Sequence, residues 1–206
     1  MRTSFFSAIF ISFATLSCAF AAERPVLVLG DSLSAAYRID PNAGWVTLLA
    51  QRLKSHAPPV EVVNASISGE TTSGGLARLP ALLTQHKPGI VIVELGANDG
   101  LRGLTIDQIR KNLDAIIKAS RDAGAKVIIL GIELPINYGP QYRTSLRQMY
   151  RDAALEFNAP LVPFLLDGVA QDATLMQDDG LHPLAAGEPK VLENVWPMIA
   201  AVIGSK

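Results

Sequence analysis

From Pro25 onward, short apolar runs rich in β-branched residues alternate with longer stretches of helical period, a pattern that predicts consecutive βαβ units. The predicted strands are 26–29, 60–63, 90–95, 126–130 and 161–164. Several are apolar at every position, as strands covered on both faces are. Between them, Ile106, Ile109, Leu113, Ile116 and Ile117 fall on one stripe within 105–122, with Thr105 and Gln108 spaced as a capping box. Leu76, Leu79, Leu82 and Leu83 make a second stripe that Pro88 and Gly89 end. Further helices are predicted over 44–56, 141–157 and 185–203. The fold class is therefore α/β, a parallel sheet with helices on both faces. No repeat, low-complexity tract or linker interrupts the pattern, so residues 22–206 read as a single domain.

The first segment has a different character. Arg2 precedes an apolar stretch over 5–20, and small residues stand at Ala19 and Ala21. This predicts a signal peptide over 1–21, cleaved so that Ala22 begins the mature chain. The stretch is short for a membrane span and carries five serines and threonines between Ser4 and Ser17. Cys18 is the only cysteine and lies in this leader, so the mature domain is expected to lack thiols and disulfides. The expected location is periplasmic or secreted.

Composition narrows the partners. With 206 residues and 49% hydrophobic positions the chain can bury one good core. Eighteen basic against 19 acidic side chains, without a run of either sign, give no sign of nucleic acid as a ligand. The expected partners are small molecules, and a monomer without a stable protein partner is expected.

Parallel sheets of this kind bind ligands beyond the carboxyl ends of their strands, and the loops there are the chain's most polar and glycine-rich. A serine nucleophile needs a base, and the base needs an acceptor that fixes its tautomer. The chain has three histidines. His56 and His86 close helix patterns and read as solvated helix-end residues. His182 lies in Asp178-Asp179-Gly180-Leu181-His182-Pro183, where Asp179 can accept from Nδ1 and Asp178 is the second choice. Ser32 follows the first strand in Gly30-Asp31-Ser32, with a helix expected next whose amides would face developing negative charge. The Ser32 amide, the Gly69 amide and the Asn98 side chain are candidate oxyanion donors. Each motif alone also fits a blander role: a helix cap for Ser32, plain turns for Gly69 and for Asn98-Asp99-Gly100. Their joint placement in strand-end loops favours chemistry. The Gly-x-Ser-x-Gly elbow of α/β-hydrolases is absent, since position 34 is Ser.

Taken together, Gly30-Asp31-Ser32-Leu33, Gly69, Gly96-Ala97-Asn98-Asp99 and Asp179-Gly180-Leu181-His182-Pro183 resemble the four blocks of the SGNH (GDSL) hydrolase family. The stretches Asn64-Ala65-Ser66-Ile67-Ser68-Gly69-Glu70-Thr71 and Met176-Gln177-Asp178-Asp179-Gly180 are similar to its bacterial periplasmic thioesterase/protease/lysophospholipase and arylesterase branch. The resemblance implies a three-layer, flavodoxin-like fold with five parallel strands and no cofactor or metal. It implies a triad of Ser32, Asp179 and His182, an oxyanion hole of Ser32, Gly69 and Asn98, and hydrolysis of esters, thioesters and lysophospholipids. Leu134, Pro135, Ile136 and Tyr138 are expected walls for the acyl or aryl group, and Glu133 is an acidic residue beside them that could alter head-group choice. Because the base must be neutral, an imidazole of ordinary pKa would give activity rising through roughly pH 6 to 8. The rival readings are a carbohydrate O-acetylesterase with the same chemistry, and a metallophosphoesterase using Asp31, Asn64, Asn98, Asp99 and His182.

Overall fold

A computed structural model describes residues 23–204. The leader and Cys18 lie outside the described residues. Five strands, β1 (Val26–Gly30), β2 (Val62–Asn64), β3 (Ile90–Glu94), β4 (Lys126–Leu130) and β5 (Leu161–Val162), form one parallel sheet in the order β2-β1-β3-β4-β5. This is the doubly wound, flavodoxin-like order. Every residue of β1 and β3 is buried, which accounts for their unbroken apolar runs. The edge strands are shorter than or offset from their predictions. β5 stops before Pro163, which has no N–H for the ladder. β2 begins at Val62 because the Val60 N–H instead pairs with the carbonyl of Leu53.

Among the described residues there are six α-helices: α1 (Trp45–Lys54), α2 (Thr72–His86), α3 (Ala97–Leu101), α4 (Ile106–Asp122), α5 (Pro140–Glu156) and α6 (Glu188–Gly204). α1 packs on α6 on one face, while α4 packs on α2 and α5 on the other, giving three layers. The Thr105–Gln108 capping box is formed, and Ile109, Leu113, Ile116 and Ile117 are buried as their spacing requires. α6 starts later than predicted because Gly187 N–H turns back onto the Leu184 carbonyl. α3 occupies what reads in sequence as a tight turn.

The expected helix after Ser32 is absent. Residues 32–38 form consecutive turns, with Ala36 and Arg38 both at φ 55°, and positive φ at two non-glycine residues is incompatible with a regular helix. Among the described residues no helix is long and apolar enough to cross a membrane.

The amino edge of the sheet is strapped by Arg24. Its guanidinium donates to the carbonyls of Lys87, Pro88, Ala123 and Gly124, in the turns that lead into β3 and β4. At the same edge Lys126 Nζ donates to the carbonyl of Val202, near the end of α6. The carboxyl edge is left to the loops.

Candidate active site

Where β1 ends, two buried carboxyl groups organise the chain around Ser32. Glu94, the last residue of β3, accepts from the Asp31 N–H (3.1 Å) and the Ser34 hydroxyl (2.8 Å) through Oε2. A β-carbon on Gly30 would lie 2.8 Å from that same oxygen, so only glycine allows the approach. Asp31 Oδ1 accepts from the Leu33 N–H (3.0 Å), bending the chain into an Asx turn that leaves Ser32 at its tip. Burial pushes Asp31 up to about 6 against the opposing pull of these hydrogen bonds. Burial and the neighbouring Asp31 charge push Glu94 well above the usual range. Its Oε1 is buried without a hydrogen-bond partner, as suits a neutral carboxyl.

The turn from Gln177 to Pro183 carries Asp179 and His182. Asp179 Oδ1 accepts the N–H groups of Leu181 (2.9 Å) and His182 (3.1 Å), which leaves Oδ2 2.8 Å from His182 Nδ1. His182 Nε2 is 2.8 Å from Ser32 Oγ. With an ionised Asp179 at Nδ1, that nitrogen carries the proton and Nε2 accepts from the serine. Burial works to raise Asp179, but the Leu181 N–H, the His182 ring and the His182 N–H outweigh it and hold the carboxyl below the usual range. The Tyr37 ring packs 4.5 Å from the imidazole, centroid to centroid.

Gln177, which the sequence marks only as part of Met176-Gln177-Asp178-Asp179-Gly180 and without a role of its own, joins the two segments. Its Nε2 donates to the carbonyls of Tyr37 and Pro183, each at 2.9 Å, and its N–H donates to the His182 carbonyl at 2.8 Å. His56 and His86 stand apart from this site, at or just beyond helix ends.

The three candidate oxyanion donors are not equally free. The N–H groups of Ser32 and Gly69 donate to nothing among the described residues. Asn98 already gives one N–H to Asp31 Oδ2 at 2.9 Å, leaving one rather than two. Gly69 has φ 81° with open space where a β-carbon would stand, so its backbone conformation, rather than crowding, calls for glycine. Asp99, wholly buried, accepts from the Thr72 N–H (2.8 Å) and hydroxyl (2.5 Å), tying α3 to the start of α2.

A cleft of about 380 Å³ opens beside Ser32, Asn98 and His182. Leu134, Pro135 and Ile136 line it, joined by Ile132 of the same loop, Leu101 at the end of α3, and Phe164, Leu166 and Met176 from later in the chain. Tyr138 does not line it: its hydroxyl donates to the Leu101 carbonyl (3.0 Å) and its ring borders a separate hollow with Ile106 and Tyr142. The rotation comes from the short 3-10 helix Ile136–Tyr138, which points Ile136 outward, 82% exposed, and turns Tyr138 back. Glu133 and Arg143 also border the cleft.

The five groups of the metallophosphoesterase reading do not make a ligand set. Asp99 commits both oxygens to Thr72, and Asn64 is held between the Ser34 carbonyl and the Ser66 N–H. Among the described residues no three His, Cys, Asp or Glu side chains converge to hold a metal.

Residues 28–188 match the model of the GDSL-like Lipase/Acylhydrolase family. Over 183 residues the chain is 49% identical to Esterase TesA of Pseudomonas aeruginosa, covering 89% of this chain and 91% of that one. It is 44% identical to Thioesterase 1/protease 1/lysophospholipase L1 of Escherichia coli strain K12, covering 89% and 87% respectively. The crystal structure of the psychrotrophic esterase EstA from Pseudoalteromonas sp., inhibited by monoethylphosphonate, superposes with a TM-score of 0.84 at 38% identity, covering 89% of this chain and 100% of that one.

Proposed function

The chain belongs to the GDSL-like lipase/acylhydrolase family, and on that premise we propose that it hydrolyses carboxylic esters and thioesters with Ser32 as nucleophile, His182 as base and Asp179 as its orienting carboxylate. The observation that carries this reading is the unbroken relay Asp179–His182–Ser32, with 2.8 Å at both links. In the proposed reaction Ser32 Oγ bonds to the acyl carbon as His182 Nε2 takes its proton. The oxyanion draws on the free N–H groups of Ser32, Gly69 and Asn98. Collapse breaks the bond to the alcohol or thiol, which leaves with the proton from His182. Water then attacks the acyl-enzyme by the same route and releases the acid.

The apolar cleft favours acyl groups longer than acetyl, which speaks for esterase and thioesterase activity over deacetylation of sugars. Lysophospholipids fit the same class of substrate. Export follows from the predicted leader, and a monomer is the expected state.

The deciding measurement is hydrolysis of p-nitrophenyl esters of graded length and of an acyl-CoA, by the wild type and by Ser32→Ala. We expect the variant to lose about 1,000-fold or more in kcat with Tm unchanged. Equal rates in the two proteins would refute the serine mechanism.

A further inference from the structure

Away from the hydrogen-bonded groups around Ser32, the cleft is lined by apolar residues, Gln171 and Gly180, and two charged side chains, Glu133 and Arg143. Arg143 is fixed to the wall itself, since its Nε donates to the carbonyl of Leu134 at 2.7 Å. Its Nη2 faces Glu133 Oε2 across 3.4 Å, and that same oxygen takes Nη1 of Arg147 at 3.2 Å. Arg147 is braced in turn by the Thr144 hydroxyl at 3.0 Å.

Two guanidiniums share one carboxylate oxygen through long contacts, so the cluster has one positive charge left over. Ordinary charge-assisted pairs are shorter, near 2.8 Å, which marks this carboxylate as weakly held. A guanidinium has five donors, and Arg143 spends one on Leu134 and one on Glu133, leaving the others for a ligand. The side chains of Glu133, Arg143 and Arg147 are 26%, 22% and 31% exposed, so solvent screens the charges only in part.

We propose that Arg143, backed by Arg147, is an anion subsite in the wall of the cleft, and that Glu133 competes with the substrate for it. The preferred substrates are then esters or thioesters bearing a carboxylate or phosphate on the acyl chain or on the leaving group. This rests on the serine-hydrolase reading and names its substrate class.

Two matched pairs of esters test it. p-Nitrophenyl hydrogen adipate against p-nitrophenyl heptanoate places the anion on the acyl side. 4-Hexanoyloxybenzoate against 4-hexanoyloxybenzamide places it on the leaving group. The readout is the ratio of kcat/KM for the anionic ester to that for the neutral one, in which general effects on the loop cancel. Glu133→Gln should raise the ratio about fivefold in at least one pair, and Arg143→Gln should lower it by a similar factor in the same pair. The pair that responds identifies the side of the scissile bond that the subsite serves. Ratios within twofold of wild type in both pairs, or moving in the opposite sense, overturn the proposal; Glu133→Gln decides alone if Arg143→Gln does not fold. Ser32→Ala run alongside separates the two readings: activity surviving in it defeats the hydrolase assignment, whereas flat ratios with Ser32→Ala inactive defeat the subsite only.

Discussion

Asp31 does more than precede Ser32. It receives Leu33 N–H on one oxygen and Asn98 Nδ2 on the other, so it sets both the turn that carries Ser32 and the side chain proposed as an oxyanion donor. Both bonds are strongest to the ionised carboxylate, which exists above about pH 6. Asp31→Asn should therefore lower kcat by up to roughly 100-fold, the lower end of the loss on removing such a donor outright, because Asn98 is displaced and not deleted. It should also make the acid limb of the pH-rate profile shallower by one proton. A steep acid limb identical in the variant would show that Asp31 plays no part in it. At this scale the sequence was readable where chemistry restricts the residue type. Ser32, Asp179 and His182 are joined by hydrogen bonds, Asn98 borders the same cleft, and Gly69 holds a φ of 81° that calls for glycine, and each is of a residue type that few others replace. What Gln177 and Arg143 bond to was not readable, because their partners lie 140 and 9 positions away and are supplied only by the folded chain. Tyr138 was misassigned because one 3-10 turn decides whether a loop side chain faces the cleft or the next helix.

Among the elements, α2 and α3 are coupled through Asp99. Removing this carboxylate strands the Thr72 N–H and hydroxyl in a buried place, where each unmet group costs about 1–3 kcal/mol. Asp99→Ala should lower unfolding stability by roughly 3 kcal/mol in urea, and because Gly69 precedes α2 while Asn98 lies in α3, kcat should fall more than KM rises. A variant that loses stability with unaltered kcat would separate this buttress from the chemistry. The central strands and the long helices were legible from periodicity, since burial on both faces or along one stripe constrains every position. The ends were less so. Pro163 cuts β5 short, the turn before α6 delays it, and the positive φ values at Ala36 and Arg38 replace an expected helix by turns. Each is decided by backbone geometry that hydrophobic spacing does not encode.

For the molecule as a whole, Glu188 is a latent source of pH-dependent stability. It is 2% exposed at the start of α6, and its Oε2 receives the Trp45 N–H at 2.8 Å, joining that helix to the start of α1. Burial pushes it from the ordinary 4.5 to about 7, partly opposed by the Trp45 bond. The fold thus favours the protonated form. The stability this contributes is whole below about pH 4.5 and is lost as the pH rises through about 7. Glu188→Gln has no proton to lose, so between pH 4.5 and pH 8 it should gain on the wild type by about 3 kcal/mol in unfolding free energy. A constant difference between the two proteins across that interval would rule this out.

The strap at the amino edge of the sheet has a practical corollary. Arg24 holds the beginning of the described chain under β3 and β4, and Val202 sits by Lys126 at the same edge. Both ends of the described residues therefore lie opposite the cleft. Anchored to a bead, a surface or a carrier protein by either end, the domain would present its open face outward, and substrate would reach it without passing the attachment point.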